Sequence, residues 1–97
     1  MQFLALIARH PDKVNAPIPP DLREAEFETV RGYFIDRFVQ QIWLRGDGAG
    51  GACMIVEAGS EEEVAEKLAA LPLASAGFLQ AQLISPLRPY SGFAPRS

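Results

Sequence analysis

The chain has 97 residues, 48% of them hydrophobic and 22% charged, with 9 Lys and Arg against 12 Asp and Glu for a formal charge of −3. That length is one small domain, residues 1–97, whose folding buries only about 60–65% of the surface the unfolded chain exposes, so a second copy is expected to complete its core. The few scattered cations lack the footprint a phosphate backbone needs, and the apolar run Phe3–Ala8 is too short to span a bilayer; neither nucleic acid nor membrane is an expected partner. One Cys and one His allow neither an internal disulfide nor a Cys/His metal cluster, which fits a reducing cytoplasm.

Met1–His10 is densely apolar, too short for a core helix and closed by His10-Pro11, which predicts a buried first strand. Four prolines between Pro11 and Pro20 fix φ and remove donors, so an extended loop follows. Asp21 either caps the next helix or sits in its acidic first turn with Glu24. Phe27, Val30, Phe34 and Phe38 recur at helical spacing and predict one aromatic stripe, with Glu24, Glu28 and Arg31 opposite. Gly32 interrupts that pattern and marks either a close backbone approach or a locally weak helix.

From Val39 to Arg45 the period changes to two, the signature of a strand. Gly46-Asp47-Gly48 and Gly50-Gly51 supply a hairpin turn, and Ala52–Ala58 is the antiparallel return. Ser60 with Glu63 makes a capping box for a second helix whose buried face is Val64, Leu68 and Leu71, ended by Pro72. Phe78–Leu87 is a last strand before a Pro/Gly/Ser tail. The order β-α-β-β-α-β is the ferredoxin-like α+β arrangement: a four-stranded antiparallel sheet with two helices on one face. The other face is expected to meet a two-fold partner, making a homodimer or larger homo-oligomer, and the gap between sheet and helices is left for a small-molecule ligand.

Met1-Gln2-Phe3-Leu4, Ile42-Trp43-Leu44-Arg45-Gly46, the Ser60 helix start, Leu71-Pro72-Leu73 and Ser85-Pro86-Leu87 together resemble the muconolactone δ-isomerase family, within the dimeric α+β barrel superfamily that includes YciI-like proteins and cofactor-free monooxygenases. Pro86-Leu87-Arg88-Pro89 is similar to the tail of small relatives of that family. The resemblance implies the dimeric barrel fold and a cofactor-independent isomerase of a small lactone, enol or aromatic metabolite; a non-catalytic binding or accessory protein and a cofactor-free monooxygenase are the alternatives. The chain departs from the family at the junction after the first helix, where Arg37 stands in place of a glycine, and in its longer, proline-rich first loop.

A lactone isomerase needs a base near neutral pKa and a cation or donor for the dienolate. His10 alone has a suitable unperturbed pKa and is the candidate base. Asp47, close to Arg45, is a second catalytic candidate, with Asp36 and Glu57 behind it. Trp43 and Arg45, two apart on one strand, share a side and form a candidate aromatic wall and carboxylate anchor if that side faces the helices. Phe34 on the stripe and Tyr90 in the tail, with Arg88 and Phe93, are further candidate ligand contacts. Cys53 reads as a small buried hydrophobe, and the glycine run lacks the Lys-Ser/Thr of a phosphate loop.

Overall fold

A pleated backbone turns successive side chains to opposite faces, so Phe3, Ala5 and Ile7 are buried while Leu4, Leu6 and Ala8 between them stay half-buried. The computed structural model describes residues 1–93. Their strand is β1 (Gln2–Arg9), followed by α1 (Pro20–Ile35), β2 (Val39–Leu44), β3 (Ala52–Glu57), α2 (Glu61–Ala69), α3 (Pro72–Ser75) and β4 (Leu79–Pro86). Residues 94–97 of the expected tail lie outside the described residues. All pairings are antiparallel in the order β2-β3-β1-β4, the ferredoxin-like sheet. No helix among the described residues is long and apolar enough to cross a membrane.

Register sorts the side chains into rows across all four strands. On the helix face, Ile42, Met54, Ala5 and Ile84 stand abreast; on the other, Trp43, Cys53, Leu6 and Leu83 do the same, with Leu4 and Ile55 in the next row. The first face meets Val64, Leu68 and Leu71 and is the core. No described residue packs over the second, where Trp43 is 54% and Leu83 45% exposed and Cys53 is only half-buried.

The second helix follows its expected pattern: Ser60 Oγ accepts from the Glu63 amide at 3.1 Å, and Glu63 Oε2 accepts from the Gly59 amide at 2.7 Å. Pro72 does more than end it, since it also opens the single turn α3. In the β2–β3 hairpin, Gly48 and Gly50 take the positive φ that the turn demands. At Gly51 a Cβ would overlap the carbonyl oxygen of Ile7, so β1 and β3 close here only over a glycine.

The first helix differs from expectation. It starts at Pro20 after an uncapped Pro19, which leaves Asp21 in the first turn. Its sheet-facing line is Glu26, Val30 and Tyr33, not the aromatic stripe. Arg37, at φ 68°, ends α1 in the left-handed conformation, with the Phe38 amide returning to the Tyr33 carbonyl at 2.9 Å. Phe38 therefore lies beyond the helix, buried and edge-on to Tyr33 at 5.1 Å, while Phe27 and Phe34 are left on the exposed flank. Gly32 has open space where its Cβ would be, so close approach is not its reason.

Candidate active site in the helix-side cleft

Between α1 and the sheet lies a cleft of about 390 Å³, walled by Phe27, Val30, Ile42, Leu44, Leu73 and Leu79. One carboxylate, Glu26, and three cations, Arg9, Arg23 and Arg31, also line it.

Glu26 is the one buried charged side chain among the described residues, at 9% exposure. Its Oε1 accepts from the Leu73 amide at 3.0 Å. Pro72 has no N–H, so Leu73 carries the first free amide of α3, whose cap residue Leu71 has no side-chain acceptor; Glu26 supplies the acceptor from another helix. Its Oε2 makes no hydrogen bond with a described residue, and no buried side-chain oxygen lacks a partner, so this oxygen stays accessible on a side chain that lines the cleft. Burial pushes the carboxyl above its ordinary value, and the Leu73 hydrogen bond only partly offsets this. The adjacent Tyr33 hydroxyl is raised as well, first by burial and then by the charge on Glu26, and it donates to the Lys67 carbonyl at 2.7 Å.

The three arginines are committed to different degrees. Arg9 donates from Nε to the Lys13 carbonyl at 3.0 Å and from Nη2 to the Ala16 carbonyl, and lies 5.6 Å from the Phe78 ring centroid, so it ties the first loop down. Arg31 pairs with Glu28 at 2.5 Å on the solvent side. Arg23 makes no side-chain hydrogen bond or ion pair with a described residue, which leaves its guanidinium open to a ligand anion.

The residues expected from the sequence stand elsewhere. Trp43 and Arg45 do share a side, but it is the uncovered sheet face, because Trp43 is abreast of Cys53 and the cleft wall is built from the intervening Ile42 and Leu44. Arg45 lies across the strand ends, 11% exposed, with Nη1 on Gln82 Oε1 and on the Ile7 carbonyl at 3.4 Å, and Nη2 on Asp47 Oδ2 at 2.6 Å. It latches the hairpin to β4. Asp47 also accepts from the Ala49 amide at 3.1 Å, and the Arg45 hydrogen bond holds its carboxyl below the usual range: it is an exposed turn residue, ionised and outside the cleft. His10 caps the 3₁₀ turn Pro11–Lys13, its Nδ1 accepting from the Asp12 amide at 3.2 Å, and does not line the cleft. Phe34 is 61% exposed beyond the cleft, and Tyr90, 69% exposed, packs on Phe93 at 5.2 Å after the last strand. Asp36 caps the end of α1, and Glu57 pairs with the Met1 amino group at 3.2 Å.

Sequence reasoning missed Glu26 because it stands beside Phe27, whose ring dominated the phase of the helix. A usable signal was there: Leu22, Glu26, Val30 and Tyr33 recur at spacings of four, four and three, placing an acid on an otherwise apolar line.

No family model matches the chain, and no curated protein matches it in sequence. Among solved structures it is similar to the 5-chloro-2-hydroxyhydroquinone dehydrochlorinase TftG from Burkholderia phenoliruptrix AC1100, in complex with 2,5-dihydroxybenzoquinone, at 21% identity over 91% of this chain and 94% of that one, with a TM-score of 0.70. At that identity the likeness speaks for the fold alone, a ferredoxin-like α+β unit.

Proposed function

We propose that the cleft binds a small hydroxylated or carboxylated ring compound and moves a proton on it without a cofactor, with Glu26 as the proton carrier and Arg23 as the anion anchor. The observation that carries this reading is Glu26 itself: a buried carboxyl, raised in pKa, with one oxygen held by the Leu73 amide and the other without a described partner, on the wall of a largely apolar cleft. A desolvated carboxylate is a stronger base, and its acid a better match to an enol at neutral pH, than the same group in water. In the proposed isomerisation Oε2 takes a proton from one ring carbon, the C–H electron pair passes into a dienolate, and the same proton returns to a second carbon. The oxyanion that forms meanwhile is stabilised by guanidinium N–H groups at the cleft. The ligand held by TftG, a dihydroxylated quinone ring, supports the size and acidity of the class. Two copies are proposed to join through the uncovered sheet faces, which keeps the cleft of each on the outside of the pair.

Hydrogen–deuterium exchange at the acidic C–H of a carboxylated enol lactone, followed by NMR, tests the role of Glu26. Wild-type protein is expected to catalyse exchange, with a rate that rises with pH as the carboxyl ionises; Glu26→Gln should lose about 100-fold or more. Equal exchange in both proteins overturns the catalytic reading. Binding without turnover is the second reading, favoured by the use of Glu26 Oε1 as the cap of α3. It predicts that Glu26→Gln binds the ligand like wild type and that neither protein exchanges.

A further inference from the structure

The cleft has a neighbour. On the other side of Leu79 an apolar groove of about 210 Å³ runs between α2 and β4, floored by Ile7 and Leu68 and open to solvent at Ala65, Ala69 and Ala81. Leu79 lines both spaces, half-buried against the core, and the adjoining pair Leu73 and Ala74 turns one residue to each. The groove exists because α2 shows alanine at 65 and 69, one turn apart, toward a strand that answers with Ala81. Its lining carries no charged side chain; Gln80 is the single polar contributor.

We propose that Leu79 determines how far a ligand reaches into this protein. This rests on the cleft being the binding site. An anion held at Arg23 extends along the apolar wall until it meets the Leu79 side chain, which stands between it and the groove along α2. Removal of the isobutyl group joins the two spaces into one continuous channel with its charge-binding end at α1 and a carbon-lined end along α2. A ligand with a second ring in line with the first then gains contacts that a single ring does not.

Calorimetric titration of benzoate and biphenyl-4-carboxylate into wild type, Leu79→Val, Leu79→Ala and Arg23→Gln tests this. The ratio of biphenyl-4-carboxylate to benzoate affinity should rise about tenfold or more in Leu79→Ala and by an intermediate factor in Leu79→Val, whose small change in volume keeps the test available if the alanine variant does not fold. Arg23→Gln should weaken both ligands alike and leave the ratio unchanged. In Leu79→Ala the distal ring should show NMR contacts to the Ala65 and Ala69 methyl groups that wild type lacks. A ratio that is the same in wild type and both Leu79 variants, with binding intact, overturns the role of Leu79 and leaves the cleft reading standing. Absence of binding by every protein overturns both.

Discussion

Arg37 holds a backbone conformation that costs a residue with a Cβ about 1 kcal/mol or more, because its side chain crowds the following carbonyl. Glycine has no such cost, so Arg37→Gly is expected to stabilise the chain by about 1 kcal/mol and to raise the melting temperature by about 4–8 °C, measured by calorimetry. Arg37→Ala, which keeps the Cβ, should gain nothing. The second residue with a consequence for stability is Glu26. Burial raises its carboxyl above the ordinary 4.5, so between that pH and the raised value the folded chain keeps a proton that the unfolded chain has released. Stability from this group therefore falls as pH climbs through that interval and is constant on either side. Glu26→Gln retains an oxygen for the Leu73 amide and abolishes the slope. Urea unfolding at a series of pH values should show the difference between wild type and variant turning against wild type as pH rises; a difference independent of pH would contradict the assignment.

Elements here meet over small residues at chosen places. β1 and β3 approach at Gly51 so closely that any side chain collides with backbone, which cannot swing away as a side-chain tip can. Gly51→Ala should cost about 2–3 kcal/mol, read as a lowered urea midpoint with an unchanged m-value. The glycine run itself was legible as a turn, because positive φ is a local demand. The reason for Gly51 was not, since it depends on which strand arrives beside the hairpin. The same distinction separates the two helices. The capping box of α2 and its Val64–Leu68 core face were readable because cap and face agree, whereas Leu71, expected as the third residue of that face, is buried beyond the helix as the cap of α3. The aromatic spacing around α1 joined residues of different settings: Val30 packs on the core, Phe27 lines the cleft, Phe34 is exposed, and Phe38 belongs to the turn after the helix.

At the scale of the molecule, a four-stranded sheet with helices on one face and a Trp43–Cys53–Leu6–Leu83 row on the other is half covered. If the proposed dimer forms there, Trp43→Glu buries an unpaired charge at the contact and should weaken association about 100-fold or more in sedimentation velocity, with helix content by circular dichroism unchanged. A wild-type monomer at micromolar concentration would remove the dimer. The latch from Arg45 to Gln82 and Ile7 belongs to this face too, so the two residues first read as wall and anchor of a pocket instead hold and decorate the opposite surface. By itself the sequence determined the order of elements, the hairpin, the second helix and an apolar sheet, because periodicity, turn residues and caps act over a few residues. Which face Trp43 and Arg45 occupy was decided only by strand register, and the meeting of Glu26 with Leu73, 47 positions away, only by helix packing. Such contacts leave no mark in local spacing, and the chemistry of the cleft depends on them.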